Sequence, residues 1–201
     1  MKKIDAIIVC IDDDIKILGD AFFDDIEDDV NEIKKFAKPS AGLEYIQKNI
    51  DKKMIVILDW KFGQGMKQGS EVLNDISAIS QLVPVIICTG QDINAEEANK
   101  MFEGNAFSCL PKTATLDQMS AAVESAYDRI KNDIRTVMEE WILMQSEERR
   151  KKPYVRTAGK DYSLNDILMS IRKQDDFGKE TTKGILSLAT ELFLNKGEVQ
   201  K

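Results

Sequence analysis

Met54-Ile55-Val56-Ile57-Leu58-Asp59 runs directly into Trp60-Lys61-Phe62-Gly63. An unbroken apolar run closed by a carboxylate fits a strand buried on both faces whose last residue reaches the rim of a sheet. Two further runs share this form. Ile7-Ile8-Val9-Cys10-Ile11 ends in Asp12-Asp13-Asp14, and Val85-Ile86-Ile87-Cys88 ends in Thr89-Gly90. Strand-like segments therefore deliver acids and a hydroxyl to what reads as a single edge.

Outward from these runs, strand-like and helix-like stretches alternate from residue 4 to about 127. Strands are expected at Ile4–Ile11, Ile33–Ala37, Met54–Asp59, Val83–Thr89 and Ala106–Leu110, with amphipathic helices at Ile15–Asp28, Ala41–Asn49, Gly69–Ser80, Ala95–Gly104 and from Leu116 onward. This alternation predicts an α/β fold, a doubly wound five-stranded parallel sheet covered on both faces. Ligand sites in such sheets lie outside the carboxyl ends of the strands. The rule gathers Asp12, Asp13, Asp59, Thr89 and Lys112, the last from Leu110-Pro111-Lys112-Thr113, into one crevice.

Composition narrows the chemistry. The chain carries a net charge of -7, and Asp12 to Asp29 alone holds nine acidic residues. Broad nucleic-acid binding needs the opposite surface. There is no histidine, which excludes Ser-His-Asp and Cys-His catalysis and makes a zinc site a poor fit. Cys10, Cys88 and Cys109 each fall in or beside an apolar run and are expected to be small buried hydrophobes. No apolar run approaches membrane-spanning length, and Met1-Lys2-Lys3 leads into acids rather than a signal core, so the expected location is the cytoplasm.

Close carboxylates repel one another, and a divalent cation relieves that repulsion. Oxygen donors without histidine or thiolate suit Mg²⁺ or Mn²⁺. A cation, the Lys112 ammonium and the Thr89 hydroxyl together suit the transfer of a phosphoryl group onto a carboxylate. Asp59, single and central in strand order, is the best nucleophile. A competing reading is an Mg²⁺-dependent hydrolase with an aspartyl nucleophile. Such enzymes want a second acid two residues on, where this chain has Lys61.

Through Asp12-Asp13, Ile57-Leu58-Asp59-Trp60, Cys88-Thr89-Gly90 and Leu110-Pro111-Lys112, residues 4–127 resemble the receiver domain of two-component response regulators. The resemblance implies that Asp59 is the phosphoacceptor. It implies Mg²⁺ held by Asp13, Asp59 and the backbone carbonyl of Lys61, with Asp12 reaching the ion through water. Thr89 and Lys112 would bind the phosphoryl oxygens, and the donor would be a histidine kinase or a histidine phosphotransfer protein. The chain departs from the family pattern in three places. Phe62-Gly63-Gln64-Gly65 replaces the usual Met-Pro and predicts a more mobile loop. Thr113 follows Lys112 where proline is common. The aromatic switch position falls on Cys109, with Phe107 expected on the same strand face.

Beyond the receiver-like residues 1–127, no Gly or Pro interrupts residues 114–152. Apolar or small residues recur at Leu116, Met119, Val123, Ala126, Ile130, Ile134, Val137, Trp141 and Met144, close to a heptad seam. The pattern predicts an extended helix over 116–152 and a homodimer self-paired through 116–150, strengthened or reoriented by phosphorylation, with a helix folded back onto its own chain as the alternative. A linker is expected at 153–160 and a small helical module at 161–201, with Leu164, Ile167, Leu168 and Ile171 on one helix and Phe177, Ile185, Leu188, Leu192 and Phe193 on a second. With ten Lys/Arg against seven Asp/Glu over 151–201 and no basic recognition helix, DNA binding is disfavoured and docking onto a protein target is the expected output. The alternatives are a DNA-binding transcriptional response regulator and a degenerate receiver acting only as a scaffold.

Overall fold

The computed structural model describes residues 3–14 and 21–196, which divide after Asn132 into two compact units. The first unit is built on β1 (Ile4–Ile11), β2 (Val30–Phe36), β3 (Met54–Asp59), β4 (Val85–Thr89) and β5 (Ser108–Pro111). All neighbours are parallel, in the order β2-β1-β3-β4-β5. The helices are α1 (Ala21–Ile26, running into a 3-10 turn at Glu27–Asp29), α2 (Pro39–Lys48), α3 (Gly69–Ile79), α4 (Ala95–Glu103) and α5 (Leu116–Asn132). The 15–20 part of the expected first helix lies outside the described residues.

Strand alternation sorts the core into two layers. Val9, Ile11, Val56, Leu58, Val85 and Ile87 pack with Ile46 of α2, with Val72, Leu73 and Ile76 of α3, and with Met101 of α4. Ile8, Cys10, Ile55, Ile57, Ile86 and Cys88 pack with Phe22, Phe23 and Ile26 of α1 and with Val123, Ala126 and Ile130 of α5. β1 and β3 are buried along nearly their whole length, which is why their sequences are continuous apolar runs instead of alternating ones. The doubly wound parallel sheet expected from the sequence is present.

The second unit contains α6 (Ile134–Leu143), α7 (Glu147–Lys151), a hairpin of β6 (Pro153–Thr157) and β7 (Lys160–Ser163), α8 (Leu164–Lys173) and α9 (Asp176–Lys196). α8 is its centre, touching α6, α7, β7 and α9. It buries Leu164, Ile167, Leu168 and Ile171, and α6 contributes Met138 and Ile142. Gly178 of α9 lies so near α8 that a Cβ there would sit 2.2 Å from the Ser170 carbonyl oxygen. Among the described residues no helix is long and apolar enough to cross a membrane.

This architecture corrects the reading of 116–152 as one helix. Asp133 leaves helical geometry (φ -82°, ψ 119°) and caps α6 by accepting the Arg135 N–H at 2.9 Å. Ser146 caps α7 in the same way. Side-chain caps, with no Gly or Pro, cut the segment into three. Nor is the apolar stripe one seam. Val123, Ala126 and Ile130 face the sheet core, while Ile134, Val137 and Trp141 on α6 and Met144 just past it are exposed, and α6 buries Met138 and Ile142 instead. The expected self-pairing through 116–150 therefore lacks a continuous stripe.

Residues 153–160 are not a linker. They form most of a hairpin whose turn, Ala158-Gly159, holds both residues at positive φ (49° and 76°), the geometry of tight hairpin turns. The module expected at 161–201 accordingly starts inside β7 and belongs to a unit that begins at Asp133. Residues 197–201, and the side chain of Phe193, lie outside the described residues.

Candidate functional site

Register places the crevice. Ile11 pairs with Leu58, so Asp12 leaves β1 beside the point where Asp59 ends β3. Asp59 pairs with Cys88, and Thr89 pairs with Pro111, which puts Thr89 and Lys112 one residue further along the same edge. The strand order reverses between β1 and β3, where doubly wound sheets open a crevice.

The expected residues meet there. Asp12, Asp13 and Asp59 each present a carboxylate oxygen within 4.8 Å of the others. Asp12 and Asp59 are 2% and 4% exposed, so neither charge is solvated by bulk water. Lys112 answers both, its Nζ lying 2.7 Å from Asp12 Oδ2 and 3.1 Å from Asp59 Oδ2. Burial pushes the Asp12 carboxyl above its ordinary range, against the pull of Lys112 and of the Asp14 N–H. Burial alone would lower the Lys112 ammonium, but its hydrogen bonds to Asp12 and Asp59 hold it above its usual value.

Asp13 Oδ2 accepts the Gly63 N–H at 2.8 Å, and Asp59 Oδ1 accepts the Lys61 N–H at 3.3 Å. Thr89 is buried, and its Oγ1 accepts the Gln91 N–H at 3.3 Å. Cys88, beside it, is inert, its thiol pushed up to about 12 by burial.

Three carboxylates around one ammonium leave an excess of negative charge. The donors are hard oxygens only. This set fits a divalent ion of the Mg²⁺ class and fits no soft metal.

Several supporting residues escape a reading of strand ends. Gln68 braces the loop after β3: its Oε1 accepts the Phe62 N–H at 3.2 Å, and its Nε2 donates to the Phe62 and Met66 carbonyls at 3.0 and 3.3 Å. The start of α3 crowds the site, since a Cβ on Gly69 would lie 2.5 Å from the Asp59 carbonyl oxygen. Glu97 pairs with Lys61 across 2.9 Å. Only the last carried a sequence signal, an acid in the first turn after the Asn94 cap.

Two expectations about the far edge are corrected. Cys109 is exposed, because β5 is the edge strand and half its residues face outward. Phe107 does not share its face. It precedes the first residue of β5, packs on the α5 side and lies under the Arg129 guanidinium at 5.6 Å, whereas Cys109 is in register with Ile87 of the other layer. Alternation holds only inside a strand.

Comparison with known proteins agrees with this geometry. A response regulator receiver domain protein from Clostridium thermocellum is similar at 29% identity, covering 63% of this chain and 97% of its own, with a TM-score of 0.56. One from Methanospirillum hungatei is similar at 20% identity over 64% of this chain and 99% of its own, with a TM-score of 0.56. A structure described as adenylate cyclase from Rhodopirellula baltica matches at 22% identity over 70% of this chain and 99% of its own (TM-score 0.57), a likeness of fold. No curated protein matches. The family model for the response regulator receiver domain matches residues 8–124, and the chain belongs to that family.

Proposed function

We propose that this chain is a phosphoaccepting response regulator in which Asp59 takes a phosphoryl group from the phosphohistidine of a histidine kinase or a histidine phosphotransfer protein. The observation that carries the reading is the set of buried Asp12 and Asp59 with half-buried Asp13, gathered within 4.8 Å and answered by Lys112.

In the transfer, an Asp59 carboxylate oxygen attacks phosphorus, the P–N bond of the donor breaks, and the imidazole leaves with the bonding pair. Lys112 already contacts Asp59 and is placed to follow the new phosphoryl oxygens as the carboxylate charge is consumed. The Thr89 hydroxyl accepts from Gln91 and keeps its own hydrogen for a phosphoryl oxygen. Asp13, Asp59 and the Lys61 carbonyl, with Asp12 through water, would hold Mg²⁺, which supplies neutralisation of the phosphoryl oxygens.

The second unit has no comparable acid cluster among its described residues. Its role in this reading is output by contact with another protein, and exposed Val137 and Trp141 on α6 and Met144 just past it support it. Incubation with acetyl phosphate and Mg²⁺ followed by intact mass measurement tests the proposal. One adduct, absent in Asp59→Asn, is expected. Rapid turnover of acetyl phosphate would favour a hydrolase, and no reaction would favour a scaffold.

A further inference from the structure

Glu97 stands in the first turn of α4 and reaches back to Lys61, the second residue after Asp59. Its carboxylate takes the Lys61 ammonium at 2.9 Å. Its backbone N–H is held by Asn94 Oδ1 at 2.9 Å, so the helix end is fixed through backbone and side chain together. On the other side of this clasp, Trp60 is buried in the sheet core. The Lys61 N–H touches Asp59 Oδ1. Asp59 and α4 are thus joined through a single intervening residue. The path along β5 offers no such link, because Cys109 is exposed and Phe107 is committed to the α5 layer.

We propose that Glu97 is the residue through which α4 reads the state of Asp59. This rests on the phosphoacceptor reading above. The phosphoryl oxygens carry about -1.5 to -2 of charge where the Asp59 carboxylate carried -1, and they then outweigh the single charge of the Glu97 carboxylate. The Lys61 side chain is partly exposed and long enough to turn. On phosphorylation it leaves Glu97 for the phosphoryl oxygens, and α4 loses the tie at its first turn. The output of the switch is a loosened α4, reached from the β3 side of the crevice.

The test uses the full chain, with beryllofluoride and Mg²⁺ as the phosphoryl mimic. Amide hydrogen exchange is followed across Ala95–Glu103, and adduct formation with acetyl phosphate is measured in parallel. In the wild type, exchange of α4 should rise severalfold with the mimic. In Glu97→Ala the adduct should still form, α4 should exchange fast from the outset, and the mimic should change it little. Glu97→Gln keeps the size and polarity of the side chain and loses only the charge, and it too should lose the response. It guards against a general loss of α4 in the alanine variant. A wild-type-sized response in Glu97→Gln, or an adduct in the wild type with no change in α4, overturns the proposal and leaves the phosphoacceptor reading standing. Absence of any adduct in the wild type overturns both.

Discussion

Both units bury charge, and they do so in opposite ways. In the second, Arg172 is 4% exposed and meets Glu139, with Nε and a terminal guanidinium nitrogen each 2.6 Å from Oε1. In the first, Lys112 stands against Asp12 and Asp59 together, with Asp13 beside them. An acid met by a base is a finished structural contact. Acids in excess over the cation between them are unfinished, and a further positive group is needed to settle them. Burial of charge therefore does not mark a site, but imbalance of buried charge does.

The contrast breaks most directly at Arg172. Arg172→Met removes the buried ion pair with Glu139 and should cost about 3–5 kcal/mol in urea unfolding, with much of that loss recovered when Glu139 is also made apolar. Asp12→Asn, measured without divalent ions, should be neutral or stabilising. Burial raises the Asp12 carboxyl, so the folded state resists ionisation. The burden is absent at acid pH, where both states are protonated, and complete once pH has risen past the raised value. The gain from Asp12→Asn should grow across that interval. If Asp12→Asn proves as costly as Arg172→Met without metal, the distinction between finished and unfinished charge fails.

Mg²⁺ should sharpen the difference. Saturation at a hundredfold over its dissociation constant adds about 2.7 kcal/mol to whatever binds it. The unfolding transition of the first unit should move up and that of the second should not, and Asp13→Asn should abolish the movement. Next in size are two glycines crowded against backbone carbonyls. Gly69→Ala drives a methyl toward the Asp59 carbonyl and Gly178→Ala drives one toward the Ser170 carbonyl. Each should cost about 1–3 kcal/mol. Only Gly69→Ala should also weaken the Mg²⁺ response, because only that methyl presses on the crevice.

The two units differ as much in how their sequences can be read. β1 and β3 were legible to the residue because burial on both faces demands unbroken apolar runs, and a charge marks the end. Asp12, Asp59, Thr89 and Lys112 came with them, each standing at or just past a strand end. β2 was displaced because it is an edge strand with Asn31, Glu32 and Lys35 exposed, which blurs its apolar pattern. In the second unit the decisive signals are single polar side chains. Asp133 and Ser146 stop helices in a stretch without Gly or Pro. Tyr154, Val155 and Thr157, good strand formers, hide behind the basic run that ends α7. Arg172, in Ile171-Arg172-Lys173, looks like the solvated end of a helix, and only the fold reveals its partner on α6.

The smallest effects test whether those polar side chains hold the second unit's boundaries. Asp133→Ala and Ser163→Ala should each cost about 1 kcal/mol. For Asp133 the sign is the informative part. If 116–152 preferred one helix, alanine would be the better residue there and stability would rise; with α6 dependent on its cap, stability falls. Ser163 and Asp166 close a reciprocal box, in which the Ser163 hydroxyl and N–H lower the Asp166 carboxyl below its ordinary range. A lowered carboxyl contributes stability above its unfolded value and loses it as pH falls through the folded one. The second unit should therefore weaken on acidification below the ordinary carboxylate range, and Asp166→Asn should flatten that slope. The first unit carries the opposite sign at Asp12, so the same acid titration should relieve its buried cluster while it loosens the cap of α8.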